Sequence, residues 1–242
     1  MELLLVHQSI VLAPAFTDYE SKQHFITRSN NEALEKLTLF AKEFIPPSIK
    51  VSYCVSENHL QETINMLLAE SFHHLIFIGL KQTGLLKQVF MGSLAIKVIE
   101  NSGGVVVAMP KDISGFSYKK VFVAVTEKYP LNILELNNFL YFTEKEITHL
   151  TFFYLAKPFE RTKKIERQLK DLSMFFGDRF QTKTAIYKCQ NPFEGIKKLI
   201  SNKKEELLVV QKGSRFLIDR LFRRFMINKL VYEGQTPLII LP

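Results

Sequence analysis

The stretch LIFIGLKQTGLLKQVFMGSLAIKVIENSGGVVVAMP, residues 75–110, decides the fold of this chain. Its first five residues form an apolar run typical of a strand covered on both faces of a sheet. A glycine-bearing loop follows, then a helix predicted over residues 85–101, a glycine pair and a second strand at Val105–Met109. This order places backbone N–H groups at a helix N-terminus, which is the layout of a phosphate cradle in an α/β sheet.

The composition is that of a globular protein. Of the 242 residues, 47% are hydrophobic, enough for a substantial core. No apolar run reaches the roughly 18 residues that a membrane span needs. Residues 1–14 lack the basic start and cleavage site of a secretory signal. We therefore expect a cytoplasmic protein without a membrane partner.

The net charge of +8 belongs to the second half of the chain. Residues 1–115 carry nine Lys and Arg against eleven Asp and Glu, a net −2, whereas residues 116–242 carry 23 against 13, a net +10. A solvated basic helix surface and an anionic partner both explain this asymmetry.

The residues that could carry chemistry show no metal-site or catalytic spacing. Cys54 and Cys189 lie far apart on apolar runs without a CxxC motif, which predicts two reduced, largely buried thiols. The adjacent His73 and His74 cannot present both rings on one face of a strand. A nucleophile elbow and a pair of carboxylates on a plausible cleft are also missing. We expect no metal and no enzyme activity, although slow nucleotide hydrolysis stays open.

Strands and helices are predicted to alternate along the whole chain. In the first half, Asn30 or Asn31 is predicted to cap a helix that ends at Phe44, after an irregular stretch that reaches Ser29, and Asn58 is predicted to cap the next. The predicted strands are 2–12, 49–55, 75–79 and Val105–Met109, and the helices are 30–44, 58–71 and 85–101. After a linker at 116–119, strands are predicted at 121–126, 149–155, 180–188, from 207 onward and at Leu238–Leu241, with helices at 131–144, 159–176 and 192–202. This alternation indicates a parallel sheet with helices on both faces.

The two halves repeat each other. A shift of 132 residues lays 75–110 on 207–242 without a gap, and it matches Leu75 with Leu207, Leu85 with Leu217, Phe90 with Phe222, Lys97 with Lys229 and Pro110 with Pro242. We therefore predict an α/β fold of two tandem, doubly wound parallel-sheet domains, residues 1–112 and 118–242. The second has a strand and a helix at 121–144 that the first lacks.

With this repeat and this loop, the chain resembles a tandem universal stress protein, two copies of that family's domain in one polypeptide. The family's phosphate loop reads G, two residues, G, nine residues, G, then S or T. In the first half, Gly79 and the pair Gly92–Ser93 stand at that spacing, and the helix continues as LAIKV. The resemblance implies that Gly79, Gly92 and Ser93 bind a cofactor, which would be ATP or another adenine nucleotide.

The glycine pattern is incomplete in both halves. Gln82 stands at the middle glycine of the first half, where a side chain crowds the approach of phosphate. In the second half, Gln211 replaces the first glycine, Arg224 and Phe225 replace the final pair, and Thr126 stands where the family has an Asp that contacts the nucleotide. We expect a regulatory stress-response protein whose nucleotide binding is weak or lost. ATP binding retained by the first domain is the alternative.

Positive charge concentrates around the second loop, on Lys212, Arg215, Arg220, Arg223 and Arg224. These side chains could hold a phosphate in place of backbone amides. A basic amphipathic helix with its arginines in water explains the same residues. Polyanion or nucleic-acid binding by the second domain is thus a second alternative, although the absence of a nucleic-acid motif disfavours it.

The final strand of each half is expected to form the contact between the domains. In the resembled family these strands pair across a two-fold axis, so Val105–Met109 and Leu238–Leu241 would pair within the chain as a pseudo-dimer. Association of two chains into a homodimer stays open. By the same resemblance, the first half lacks its central strand, and the vacant place would be filled by another segment, another chain or residues upstream of Met1.

Overall fold

The computed structural model describes residues 2–9, 18–70, 72–79, 93–109, 118–143, 146–190, 195–196, 199–200, 205–214 and 236–242. In these ranges the strands are β1 (Glu2–Gln8), β2 (Lys50–Ser56), β3 (Leu75–Gly79), β4 (Val105–Met109), β5 (Lys120–Ala124), β6 (His149–Ala156), β7 (Gln181–Lys188), β8 (Glu206–Gln211) and β9 (Leu238–Leu241). The helices are α1 (Tyr19–Phe44), α2 (Leu60–Leu68), α3 (Ser93–Asn101), α4 (Ile133–Thr143) and α5 (Lys163–Phe176).

The chain divides into two compact units, Met1–Ser71 and Phe72–Pro242. The first unit contains a two-stranded parallel sheet in which β1 pairs with β2 from Glu2 opposite Lys50 onward. Helix α1 packs against β2. This division differs from the predicted domain limits, 1–112 and 118–242, which stay a prediction about the repeat.

The second unit is built on a seven-stranded sheet in the order β3-β4-β9-β8-β5-β6-β7. Its neighbouring strands are parallel, except that β4 and β9 are antiparallel. Strands β5 and β8 each lie between two neighbouring strands. In the core, the ring of Phe152 on β6 packs on the ring of Phe176 on α5, with 5.6 Å between the ring centroids. The predicted α/β fold with a largely parallel sheet is confirmed.

The β3–β4 and β8–β9 ladders have the same spacing. Leu75 pairs with Val105, and Leu208 pairs with Leu238, so both ladders join residues 30 positions apart. The antiparallel ladder is centred on Val107 opposite Ile239. Those two residues are 132 positions apart, which is the shift used above to align the two halves in sequence. This ladder therefore joins two residues that the predicted repeat makes equivalent.

Strand β3 is less covered than its apolar sequence predicts. The side chain of Phe77 is 53% exposed, whereas Val209 at the corresponding position of β8 is fully buried. Strand β8 has a neighbour on each side, but β3 pairs only with β4 in the described part of the chain. The prediction that residues 75–79 are covered on both faces is therefore wrong.

Helix α1 begins at Tyr19, well before the predicted cap at Asn30 or Asn31. The true N-cap is Asp18, whose carboxylate accepts hydrogen bonds from the Ser21 N–H at 2.9 Å and the Ser21 hydroxyl at 2.8 Å. The prediction of an irregular stretch up to Ser29 is wrong because an exposed polar helix turn has the composition of a loop. The predicted end at Phe44 is confirmed.

Two other helix starts also differ from the predictions. Helix α2 begins at Leu60, not at a cap formed by Asn58, and the Leu60 N–H donates to Gln8 Oε1 at 3.2 Å. A cap supplied by a distant strand leaves no local sequence signal. Helix α5 begins at Lys163, after a fully exposed Phe159. Of the predicted helix 85–101, residues 93–101 are helical and 85–92 lie outside the described residues, as does most of 192–202.

The Asp18 cap predicts a pH-dependent helix end. The hydrogen bonds from the Ser21 N–H and hydroxyl lower the pKa of Asp18 below its ordinary 3.8. A lowered pKa in the folded state stabilises the fold above the ordinary pKa, and this stabilisation is lost as the pH falls through the folded value. We expect Asp18→Ala to reduce hydrogen-exchange protection of the first turn of α1 at pH 7, and to have little effect once the pH is below the folded-state pKa of Asp18. Asp18→Asn, which keeps an acceptor, should retain protection under both conditions. Unchanged protection in Asp18→Ala at pH 7 would contradict the cap.

Candidate functional site

In a doubly wound sheet, ligands bind at the carboxyl ends of adjacent strands whose connections leave in opposite directions. In the second half those strands are β5, which leads to β6 on one side, and β8, which leads to β9 on the other. The segments that follow them, residues 125–132 and 211–214, line the crevice between the two strand ends. We call this the second-half crevice.

The side chain of Gln211 closes the second-half crevice. Gln211 is the last residue of β8 and is 8% exposed. Its Oε1 accepts a hydrogen bond from the Asn132 N–H at 2.9 Å, and its Nε2 donates to the carbonyl of Pro242. Asn132 in turn caps α4, because its Oδ1 accepts from the Glu135 N–H at 3.2 Å. One side chain therefore joins the end of β8, the start of α4 and the residue after β9.

The other wall of the second-half crevice, residues 125–132, contains an internal hydrogen bond and packs on the turn that follows β8. Thr126 is buried, and its hydroxyl donates to the carbonyl of Tyr129 at 3.0 Å. The Tyr129 ring covers Gly213, where an added Cβ would lie 3.7 Å from Cδ1. Gly213 has a φ of +78°, which favours glycine, and the turn is closed by the Ser214 N–H donating to the Gln211 carbonyl at 3.2 Å. The two walls are thus in contact.

Lys212 donates hydrogen bonds to backbone carbonyls through both its side chain and its backbone N–H. Its ammonium donates to the carbonyl of Ser102, just after α3, at 2.7 Å, and its backbone N–H donates to the Leu241 carbonyl at 2.8 Å. Burial lowers the pKa of Lys212. A cation at the C-terminal end of a helix is favourable, so this lysine has a structural partner at the end of α3. Arg215, Arg220, Arg223 and Arg224, the other basic residues predicted here, lie outside the described residues.

Two of the three cofactor residues predicted in the first half lie within the described residues. Gly79 is the last residue of β3, and a Cβ added to it would meet no described atom within 4 Å. Ser93 lies in α3. Gly92 and Gln82 lie outside the described residues. Strand β3 ends at Gly79 as predicted, but among the described residues no strand stands beside β3 in the way that β5 stands beside β8.

Asn132, Tyr129 and Pro242 are site residues that the sequence did not indicate. Asn132 lies at the second position of the helix predicted at 131–144, whereas the observed α4 begins one residue after it, so Asn132 occupies the capping position that asparagine favours. The hydrogen bond between Asn132 and Gln211 had no local sequence signal, because the two residues are 79 positions apart.

Within the described ranges, no group of three His, Cys, Asp or Glu side chains could hold a metal ion. In the same ranges no helix has the length and apolar character to cross a bilayer. Cys54 and Cys189 are not joined in a disulfide, and each is half-buried.

Known proteins are similar to this chain in structure. No protein-family model matches the sequence. No curated protein is similar to it in sequence. The structure is similar to that of a universal stress protein from Archaeoglobus fulgidus DSM 4304, with a TM-score of 0.68 and 16% identity over 99% of this chain and 87% of that chain. It is also similar to the functionally unknown protein PA1789 from Pseudomonas aeruginosa PAO1 and to a candidate universal stress protein from Pseudomonas aeruginosa UCBPP-PA14, each with a TM-score of 0.55 and 13% identity over 99% of this chain and 92% of that chain. The chain therefore has the fold of a universal stress protein.

Proposed function

We propose that this chain is a cytoplasmic regulatory protein of the universal stress protein type, not an enzyme, whose second-half crevice binds no nucleotide. In this proposal residues 1–112 and 118–242 are tandem domains that pair as a pseudo-dimer. The loss of nucleotide binding is supported by the two hydrogen bonds that join the Gln211 side chain to Asn132 and Pro242, which we call the Gln211 bridge.

The Gln211 bridge opposes nucleotide binding because it occupies a backbone N–H group that a phosphate would otherwise accept a hydrogen bond from. The Asn132 N–H lies at the start of α4, where a helix offers donors to anions, and it is already bonded to Gln211. Entry of a phosphate would break both Gln211 hydrogen bonds in a buried place, and each unpaired group costs roughly 1–3 kcal/mol. A loss of that size lowers affinity by about one to several powers of ten.

The pseudo-dimer is supported by the antiparallel ladder between β4 and β9. Two copies related by a two-fold axis present the same surface to each other, so equivalent residues meet at the axis. Val107 and Ile239 are equivalent under the 132-residue shift and lie opposite each other. Nearly the whole chain also aligns with a single chain of the Archaeoglobus protein.

Retained ATP binding in the first domain is the alternative. It is supported by Gly79 at the end of β3, where a Cβ added to the glycine would meet no described atom within 4 Å. Polyanion binding by the second domain is less supported, because Lys212 already donates to the Ser102 carbonyl.

A search for nucleotide in the purified protein tests the proposal. We expect no adenine nucleotide after gentle purification, and no change in melting temperature on adding ATP and Mg²⁺. A stabilisation that disappears in Gly92→Val would assign binding to the first domain. A stabilisation that persists in Gly92→Val would show that the second-half crevice admits nucleotide, and it would overturn the proposal.

A further inference from the structure

Helix α5 is fixed to the second unit by its apolar face. Ile165, Leu169, Leu172 and Phe176 recur at helical spacing, and each is at most 5% exposed. The helix packs against strands β6 and β7, and its Phe176 ring contacts the ring of Phe152 on β6. Because this face is held in the core, the opposite face of α5 has a defined orientation.

The opposite face of α5 carries a row of cations. At about 3.6 residues per turn, Lys163, Arg167, Lys170 and Met174 lie along one line of the helix, on the side away from the buried residues. All four are exposed, Met174 by 68%. The row extends over roughly 16 Å, since a helix rises about 1.5 Å per residue. We call these four residues the α5 row.

The surroundings of the α5 row add to its positive charge. Residues 161–170 contain five Lys or Arg and one Glu, a net charge of +4. That glutamate, Glu166, accepts a hydrogen bond from the Thr162 hydroxyl at 2.6 Å. The ion pairs formed among the described residues do not include Lys163, Arg167 or Lys170. An anionic partner therefore complements this face of the helix.

The α5 row suits an acidic helix better than a nucleic acid or a membrane. Glu166 and Asp171 lie on either side of the row, so the continuous phosphates of a nucleic acid would meet two like charges. An amphipathic helix binds a membrane through its apolar face, and that face of α5 packs on the sheet. A protein helix can place carboxylates opposite the cations alone and an apolar side chain opposite Met174.

We propose that the α5 row binds an acidic α-helix of a partner protein. The partner presents carboxylates at positions i, i+4 and i+7 to Lys163, Arg167 and Lys170, and an apolar side chain at i+11 to Met174. The ammonium and guanidinium groups donate charge-assisted hydrogen bonds to these carboxylates, and methionine adapts its shape to an apolar contact. The interaction is independent of nucleotide binding in either half of the chain.

Designed helical peptides are the probes of the α5 row. One alanine-rich peptide of about 20 residues carries glutamates at i, i+4 and i+7 and a leucine at i+11. A second peptide carries the same row in reverse, because a partner helix can lie parallel or antiparallel to α5. We expect one of them to bind the full isotope-labelled chain saturably in an NMR titration, with the largest amide shifts at residues 163–174. Binding should weaken when NaCl is raised from about 0.05 M to about 0.5 M, because salt screens exposed charges.

Two charge reversals separate the row from the overall charge of the protein. Arg167→Glu should weaken peptide binding by roughly tenfold or more, because the central cation becomes a like charge. Lys183→Glu is the matched control, since it changes the net charge equally at an exposed residue of β7. Lys183 follows Thr182, whose hydroxyl donates to the Ser173 carbonyl of α5, so Lys183 lies on the other face of the sheet. This control should bind the peptide as the wild type does.

Three results would overturn the proposal. The first is the absence of saturable binding by both peptides. The second is an equal loss of binding in Arg167→Glu and Lys183→Glu, because net charge would then explain it. The third is tighter binding to phosphatidylserine vesicles or to a mixed-sequence DNA duplex that is lost in Arg167→Glu, which would assign the α5 row to a lipid surface or a nucleic acid.

Amine labelling of the chain without peptide tests whether the α5 row is open. We expect Lys163 and Lys170 to react with an amine reagent as fast as the exposed Lys183. Protection of both lysines at all protein concentrations would mean that another segment of this chain covers the row. Protection that rises with concentration would mean that a second copy covers it. Either result would contradict a partner site.

Discussion

Val107→Asp is expected to lower the free energy of unfolding by roughly 3–5 kcal/mol, the size of effect seen when a charge is buried without a partner. Val107 is 2% exposed and lies opposite Ile239 at the centre of the β4–β9 ladder. Val107 belongs to a cluster of buried hydrophobic side chains, so among the described residues an aspartate there would have apolar neighbours. The effect should appear as a lower urea midpoint in unfolding followed by circular dichroism.

The two-fold relation also predicts the effect of a substitution at Ile239, which lies opposite Val107. Ile239→Asp should be as damaging as Val107→Asp, because the two residues are equivalent and both are buried. Leu134→Asp on α4 is the matched control, since Leu134 is 68% exposed and a surface substitution usually changes stability by less than about 0.5 kcal/mol. In a double-mutant cycle, Val107→Ala and Ile239→Ala should couple by about 0.5 kcal/mol or more. A near-neutral Val107→Asp, or no coupling, would contradict the packing of the two final strands.

Gln211→Leu is expected to lower the free energy of unfolding by roughly 2–4 kcal/mol. The substitution leaves the Asn132 N–H without its acceptor and the Pro242 carbonyl without its donor, and each lost partner is worth about 1–3 kcal/mol. Leucine is similar in size to glutamine, so the change is mainly in hydrogen bonding. Denaturant unfolding measures the loss, and hydrogen exchange of the first turn of α4 should show where it arises.

Two further variants separate the bridge from a general effect of the substitution. Gln181→Leu is the matched control because Gln181 is an exposed strand residue, and it should change stability by less than about 0.5 kcal/mol. Gln211→Glu keeps an acceptor for the Asn132 N–H but places a carboxylate beside the Pro242 carbonyl, so it should destabilise at neutral pH. If Gln211→Leu is as stable as the wild type, Gln211 does not hold the crevice closed.

Apolar runs bounded by glycine or proline predicted the strands well. The bounds of β4 and β9 are those predicted, because each run is apolar throughout and sharply delimited. The start of α1 was missed because Asp18 caps a turn whose exposed residues are polar. The exposure of Phe77 was also missed, since an apolar sequence shows that a strand can be buried but not whether a neighbouring strand covers it.

The candidate site was predictable only where it depends on local sequence. The predicted strand end at Gly79 is confirmed, whereas the binding roles of Gly79, Gly92 and Ser93 stay a prediction. The loop pattern also indicated that Gln211 stands in place of a glycine. The partners of Gln211 could not be predicted, because Asn132 and Pro242 reach it only through the order of the strands in the sheet.

The most direct test of the closed second-half crevice is a calorimetric titration of ATP and Mg²⁺ into the full chain and into Gly92→Val. The Gly92→Val variant removes a glycine of the phosphate-loop pattern predicted in the first half, so any remaining affinity reports on the crevice closed by Gln211. We predict no saturable heat from Gly92→Val up to millimolar ATP. Micromolar binding of about one ATP per chain to Gly92→Val would contradict the account.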